Sequence, residues 1–157
     1  MFDYYEYFKN KGNHPDPKEI LALEKELSFH QLNEQIINDM LKDAVEYAKK
    51  YEKDVSVRII YNGNSYSIMN NNGEDWLSRK EKVVNETHHS SYYIFLNNIT
   101  SHNYDYMIHD EKYGICGGGF PLILDHKIAG TFTCTGLRPQ EDHDVIISTI
   151  RKYLKSK

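Results

Sequence analysis

The chain is poor in cysteine. It has two cysteines in 157 residues, Cys116 and Cys134, and they do not form a C-x-x-C pair. Two isolated thiols without a disulfide framework are typical of a reduced, cytoplasmic protein. We therefore interpret both as small buried residues rather than as a redox or metal-binding pair.

The chain also lacks a basic stripe and a long apolar run. Its 19 basic and 23 acidic residues are well mixed and give a net charge of −4. A strongly basic face is the usual mark of nucleic-acid binding, so we expect neither nucleic acid nor a membrane as partner. The N-terminus has acidic residues among its aromatics and lacks the apolar centre of a signal peptide.

Residues 1–17 form an aromatic N-terminal arm, and we expect residues 18–157 to form a single domain. Exposing several aromatic side chains to water is unfavourable in free energy, so we expect the arm to dock on this subunit or another one. A turn-like segment, His14–Pro17, ends it. The aromatic residues of the arm are Phe2, Tyr4, Tyr5, Tyr7 and Phe8.

Helical periodicity is clearest after Asn33, which can cap a helix running to about Tyr51. Other helices are predicted at Ile20–Leu27, from near Asp75, and from Pro139. The segment Ser91–Ile99 is ambiguous, because its aromatic and β-branched residues also suit a strand. Residues 97–115 have no clear pattern.

Two hairpins are predicted where the period changes to two. In the first, Asn62-Gly63 joins strands at 55–61 and 65–69, because both residues accept a positive φ. In the second, Asp125-His126-Lys127 joins strands at 120–124 and 128–135. Two hairpins without regular βαβ alternation predict an α+β fold with an antiparallel sheet.

The run Gly117-Gly118-Gly119 invites a phosphate-loop interpretation, which we reject. The glycines precede a strand, and no Lys-Ser or Lys-Thr follows them. Without side chains they allow the backbone to approach a ligand or a neighbouring chain closely. A tight turn alone is the equally weighted alternative.

The start of the last helix could hold an anion at its free N–H groups. Acidic residues at 141, 142 and 144 oppose this, because they already satisfy that positive end. The run 141–144 also suggests a metal cluster, but consecutive helical residues point in different directions, so we expect no metal site. The pair His88-His89 is no better as a ligand pair on a helix, and we expect one of them to cap the helix end or to bond to Ser90-Ser91.

Arg79 is a more specific candidate. It is an arginine in a lysine-rich chain, which favours a position where a planar, bidentate donor matters. A surface ion pair with Glu86 or another acid is the structural alternative. The residue types of a catalytic triad are present in Ser90, His143 and Asp142. The sequence has no strand-turn-helix nucleophile elbow, so it does not support such a triad.

An ordered set of short motifs resembles the haem-degrading-domain (GlcG/HbpS-like) family, in its uncharacterised branch. The similarity runs from about Leu21 to Leu154. The motifs are Trp76–Lys80, Val83-Val84, His89–Ser91, Gly117–Pro121, Ile128–Thr131, Thr135–Leu137 and Glu141–His143.

The resemblance implies a profilin-like fold with a five-stranded antiparallel sheet covered by helices. It would make Ser28–Leu32 the fifth strand and would place a helix at 90–97. It also implies a homo-oligomer, and some relatives in the family bind or degrade haem.

One departure concerns the residue before the glycines. That branch usually has histidine there, whereas this chain has Cys116. A thiolate could still ligate a soft metal or haem iron. It would not replace histidine as a general base near neutral pH unless its pKa were lowered.

The leading hypothesis is therefore a cytoplasmic, oligomeric domain that binds a small ligand, with haem as one candidate cofactor. The alternatives are a haem-degrading or redox enzyme and a non-enzymatic assembly module. We expect the pocket between Gly117–Phe120, Thr133–Gly136, Arg79 and His143. The predicted ligand-binding residues are Arg79, Lys80, Cys116, Gly117, Gly118, Gly119, Phe120, Thr135 and His143.

Overall fold

A computed structural model describes residues 3–156. Met1, Phe2 and Lys157 lie outside this range, so the position predicted for Phe2 in the arm is not described. The helices are α1 (Tyr4–Lys9), α2 (Pro17–Glu26), α3 (Glu34–Ala48), α4 (Glu74–Thr87), α5 (Ser91–Ser101), α6 (Asp105–Ile108) and α7 (Pro139–Lys155). The strands are β1 (Ser56–Tyr61), β2 (Asn64–Met69), β3 (Gly119–Leu124) and β4 (Lys127–Thr135), and a 3-10 turn, Lys49–Tyr51, follows α3.

The strands form one antiparallel sheet in the order β2-β1-β4-β3. Both predicted hairpins and the α+β class are confirmed. Asn62 and Gly63 have φ values of 56° and 78°, as the two central residues of a type I′ turn require. Asp125 and His126, with φ of 49° and 64°, turn the second hairpin in the same left-handed conformation.

The expected fifth strand at Ser28–Leu32 is wrong. Only Phe29 pairs with the sheet, through an isolated parallel bridge to Leu124. Phe29 donates its N–H to Ile123 O at 2.8 Å and accepts from Asp125 N at 2.7 Å. Four residues later Asn33 caps α3 by accepting from Ile36 N, so the chain leaves the sheet after one residue.

The two faces of the sheet meet different helices, because side chains alternate along each strand. Val57 and Ile59 of β1 belong to a core shared with α3 and α7. Arg58, between them, faces α4 and makes a bidentate pair with Glu81, both contacts at 2.7 Å. This ion pair fixes α4 across the opposite face.

A second core lies beneath α2, α5 and the N-terminal arm. It explains the ambiguous segment at 91–99, which is helical, as the family resemblance favoured. Ser90 caps α5 by accepting from Tyr93 N at 3.1 Å. Tyr92, Ile94 and Phe95 are then buried, so their strand propensity is overridden by tertiary packing.

The arm docks on its own chain. Tyr4 and Tyr5 of α1 are only 6% and 5% exposed, and both belong to the second core. Tyr5 accepts a hydrogen bond from Asn98 Nδ2 at 3.2 Å through its hydroxyl. Helix α6 and the end of α5 also give order to the 97–115 segment, for which the sequence has no pattern.

In residues 3–156 no helix is both long enough and apolar enough to cross a membrane.

Candidate functional site

Several predicted ligand-binding residues meet around one buried ion pair. Lys80 on α4 donates to Asp142 Oδ2 at 3.0 Å and to Cys134 O at 2.8 Å. Asp142, near the start of α7, also accepts from Leu137 N at 3.2 Å. Both charged side chains are almost completely buried, so their partners are all within the protein.

Burial and pairing act against each other in this pair. Burial raises the pKa of Asp142 to about 6, although the Lys80 ammonium opposes the rise. Burial is the largest single effect on Lys80 and would lower its pKa, but the charge and hydrogen bond of Asp142 together with the two neighbouring cysteines outweigh it, and the pKa is raised. The pair is therefore ionised at neutral pH and joins α4 to α7.

The glycine run packs against this ion pair. A Cβ on Gly117 would overlap the Pro139 carbonyl group, and one on Gly118 would lie 2.7 Å from Lys80 Nζ. Gly119 donates its N–H to Ser91 Oγ at 2.9 Å. The close backbone approach expected from the sequence is thus made to elements of the same chain, and a ligand at these glycines stays a prediction.

The two cysteines are buried thiols, as the composition suggested. Burial raises the pKa of Cys116 to about 11 and raises the pKa of Cys134 well above its ordinary value. Both groups are therefore protonated near neutral pH. The thiolate that would let Cys116 ligate haem iron is not available in this conformation.

Three further predicted residues line the interior. Phe120 is fully buried, and Thr135 and His143 are each 8% exposed. The ring of His143 lies 5.0 Å from that of Tyr92 and 6.2 Å from that of Phe120. Burial lowers the pKa of His143 to about 4, so the imidazole is neutral.

Arg79 lies apart from this group. Its guanidinium stacks 3.9 Å above the Trp76 ring and donates from Nε to Tyr113 O at 3.0 Å. It forms an ion pair with Asp75 at 3.9 Å, so of the two acids that the structural alternative allowed, Glu86 or another one, it is another one. A cavity of about 180 Å³ opens beside it.

A site that sequence reasoning missed lies at the edge of the sheet, which we call the histidine cleft. It has a volume of about 260 Å³ and combines three histidines with an apolar wall. Its lining residues are Leu21, Glu24, Lys25, His88, His89, Pro121, Ile123, His126 and Ile128.

The chain bends sharply where it enters the histidine cleft. Helix α4 ends at Thr87, and His88 caps it in the left-handed conformation with φ of 65°. The capping role expected for one histidine is therefore confirmed. His89 does not lie on a helix, so the argument against a helical ligand pair does not apply to it.

Glu24 fixes the orientation of His89. The Glu24 side chain is 9% exposed, and its Oε1 lies 2.7 Å from His89 Nδ1. Glu24 Oε2 accepts from Ser90 N at 3.0 Å. A carboxylate at this distance assigns the proton to Nδ1, which leaves the Nε2 lone pair of the neutral ring free to bind a metal.

Nothing in the local sequence could reveal this pair. Glu24 and His89 are 65 residues apart, and His126 reaches the cleft through a two-residue turn of the second hairpin. Within the described part of the chain, no group of three or more His, Cys, Asp and Glu residues could hold a metal ion.

The curated relatives are proteins named UPF0303. One from Psychromonas ingrahamii is 33% identical over 85 residues, which are 52% of this chain and 54% of the relative. One from Brucella anthropi is 32% identical over 89 residues, covering 52% and 50%. The chain thus spans about half the length of these relatives in each alignment.

Solved structures show the same fold. The structure titled Ybr137w protein has a TM-score of 0.81 at 19% identity, covering 99% of this chain and 97% of its own. HbpS has a TM-score of 0.62 at 15% identity, covering 79% and 90%. A structure titled PduOC:Heme Complex has a TM-score of 0.58 at 18% identity, covering 76% and 93%.

The family model described as haem degrading protein HbpS-like matches residues 32–151, which is more than half of the chain. This match, together with the shared fold, confirms the resemblance seen in the sequence motifs. The chain belongs to the HbpS-like haem-degrading protein family.

Proposed function

We propose that this protein binds haem in the histidine cleft, with His89 as the ligand to the iron. The observation that carries the proposal is the Glu24–His89 pair, at 2.7 Å. Metal-binding histidines commonly donate their second ring N–H to a carboxylate, which fixes the ring and makes the ligating nitrogen more basic.

The donor set of the cleft suits haem better than a free metal ion. A bare ion needs three or four protein ligands, and no such cluster occurs in residues 3–156. Haem brings four nitrogen ligands of its own and needs only one or two protein donors. His89 supplies one, and His88 and His126 line the same cleft.

The walls of the histidine cleft also suit a porphyrin. Pro121 and Ile123 form a buried apolar wall, and Ile128 is 43% exposed beside them. A flat apolar ring that packs on this wall gains free energy by covering the exposed part of Ile128. Lys25, on the rim, offers a cation to a propionate.

The volume of the cleft limits how much of the ring it covers. At about 260 Å³ it is smaller than the roughly 300–1,000 Å³ of most small-molecule sites. It therefore holds one edge of the porphyrin, and a second copy of the chain covers the remainder. In the predicted homo-oligomer, the binding site would therefore be completed by a second subunit.

Bound haem would supply a redox-active iron. The chain's residues do three things for it: Glu24 holds the His89 ring, His89 presents Nε2, and the apolar wall excludes water from one face. The description of the family as haem degrading and the haem complex of the structurally similar PduOC support the choice of ligand.

A haem titration followed by absorbance tests the proposal. We expect the wild-type protein to produce a Soret band typical of histidine-ligated iron. His89→Ala should weaken binding by at least about tenfold. Loss of a residue that only hydrogen-bonds to a metal ligand typically costs about 10–100-fold in metal affinity, and this variant removes the ligand itself. Added imidazole should restore the ligated spectrum.

The matched control is His102→Ala. His102 is an exposed histidine that pairs with Asp105 and does not line the cleft. It should bind haem like the wild type. Equal binding by His89→Ala and wild type, with the same spectrum, would remove His89 from the site.

A further inference from the structure

Tyr4 of the N-terminal arm is held like a bound ligand. Its side chain is 6% exposed, and its hydroxyl accepts a hydrogen bond from Ile115 N at 3.2 Å. Its ring meets the Trp76 ring edge-on, with centroids 5.1 Å apart. The Arg79 guanidinium lies 5.3 Å from the Tyr4 ring centroid.

Arg79 has hydrogen-bonding capacity that the protein does not use. Its side chain is only 14% exposed, and its nearest carboxylate, Asp75, is 3.9 Å away and largely exposed. Within residues 3–156 the only hydrogen bond of its guanidinium group is from Nε to Tyr113 O. A guanidinium has five N–H donors, so most of them are available to an anion.

Tyr4, Trp76 and Arg79 line the cavity of about 180 Å³ that opens beside the arm. Part of the lining comes from the arm itself and leaves with it if α1 undocks. The arm contributes Asp3 and Tyr4, and the rest of the chain contributes Trp76, Arg79, Ile108, His109 and Glu111. Undocking would therefore enlarge the cavity and remove the Asp3 carboxylate from it.

We infer that Tyr4 occupies a subsite for a small aromatic acid, and that the arm must undock before such a ligand binds. A phenol or aryl carboxylate can repeat the ring packing of Tyr4 on Trp76 and its hydrogen bond from Ile115 N. Its anionic group would add a contact to Arg79, whose guanidinium faces the Tyr4 ring in the docked arm. None of these residues lines the histidine cleft, so this inference does not depend on haem.

The docked arm competes with such a ligand for the same space. Helix α1 has six residues, of which Tyr4 and Tyr5 are buried. Burial of aromatic side chains of this size stabilises the docked arm. The apparent dissociation constant of a ligand rises in proportion as the open fraction falls, so a docked arm suppresses binding.

The single tryptophan provides a direct signal, because Trp76 is the only one in the chain. The probe is 4-hydroxyphenylacetate, which carries the ring and hydroxyl of tyrosine and one carboxylate. We expect Tyr4→Ala, in the full-length chain, to bind this probe at least tenfold more tightly than wild type, as judged by Trp76 fluorescence.

Tyr7→Ala is the matched control. Tyr7 lies on the same helix and is 46% exposed, so its loss should leave the affinity for the probe within twofold of wild type. Equal affinities of Tyr4→Ala and wild type, or no binding by folded Tyr4→Ala at millimolar probe, would overturn the inference.

Two further variants separate the subsite from general loosening of the arm. Compared with Tyr4→Ala, the double variant Tyr4→Ala/Arg79→Gln should bind 4-hydroxyphenylacetate at least tenfold more weakly. Its affinity for uncharged p-cresol should change little. Tyr4→Phe keeps the ring packing and removes only the hydroxyl, so it tests the inference if Tyr4→Ala fails to fold. It should bind the probe about two- to fivefold more tightly than wild type, and an unchanged affinity would count against the role of the Ile115 contact.

Discussion

The interior of this protein contains charged and titratable side chains whose protonation is set by burial. Lys80 and Asp142 remain ionised because they compensate each other. Among residues 3–156 no side chain forms such an ion pair with His143, which is neutral because burial lowers its pKa to about 4. The buried ion pair and His143 each lead to a prediction about stability that does not depend on any ligand.

Removing one member of the buried pair should be costly. In Lys80→Met the Asp142 carboxylate stays buried without its cation. Breaking a buried ion pair in this way typically costs about 3–5 kcal/mol. We expect a loss of that size in the free energy of unfolding, measured by urea denaturation.

The double variant Lys80→Met/Asp142→Asn is the control for charge. It removes the unpaired carboxylate and keeps an acceptor for Leu137 N, so it should recover part of the loss. If the single variant were as stable as wild type, the pair would not join α4 to α7 as described.

His143 should make stability depend on pH. Its pKa is about 4 in the folded protein and 6.5 in the unfolded chain, so the unfolded state binds the proton more readily. Stability from this group is complete above pH 6.5 and is lost as the pH falls towards 4. The loss is about 3 kcal/mol by proton linkage.

The difference between wild type and His143→Gln isolates this effect. Asp142, with its raised pKa, acts in the opposite direction below pH 6, but it is common to both proteins. The wild type should lose stability relative to the variant as the pH falls from 7 to 4. A constant difference over that range would mean that His143 is not buried in neutral form.

At the scale of elements, the glycine run shows that a local sequence pattern can predict close packing without identifying the packing partner. The sequence predicted close backbone approach at Gly117-Gly118-Gly119 without indicating what approaches. In the structure α4, α7 and β4 fill the space. Gly118 has a φ of 119°, and a Cβ added to it would overlap Cys134 O and Lys80 Nζ.

Alanine substitutions at Gly63 and Gly118, which both have positive φ, separate the cost of backbone strain from the cost of steric overlap. Gly63 has φ of 78° and nothing within 4 Å of an added Cβ, so Gly63→Ala should cost about 1 kcal/mol of backbone strain. Gly118→Ala should cost at least about 2 kcal/mol more, because overpacking adds to strain. Similar losses in thermal unfolding would indicate free space at Gly118, as the sequence-predicted ligand pocket requires.

The elements that could be predicted from the sequence are those with local signals. The Asn62-Gly63 turn, the cap at Asn33, the proline at the first position of α7 and the alternation along β1 and β4 all act over a few residues. The helix at 91–99 and the failure of the fifth strand at Phe29 depended on contacts with distant residues. Family resemblance corrected the helix but misplaced the strand.

At the scale of the whole molecule, the family could be recognised from sequence, whereas the histidine cleft could not. The family model begins at residue 32, so Glu24 of α2 lies outside it while His89 lies within. Only the folded chain brings these two residues to 2.7 Å. A ligand at Arg79 stays a prediction; the structure places this residue beside a cavity that is lined in part by the arm.

The central claim is that a nitrogen of His89 binds the haem iron, and not merely that an apolar cleft attracts a porphyrin. Comparing haem with metal-free protoporphyrin tests this claim most directly, because the two share ring and propionates. We predict that wild type prefers haem by at least about tenfold in dissociation constant and that His89→Ala has no preference. The same preference in both proteins would contradict the claim.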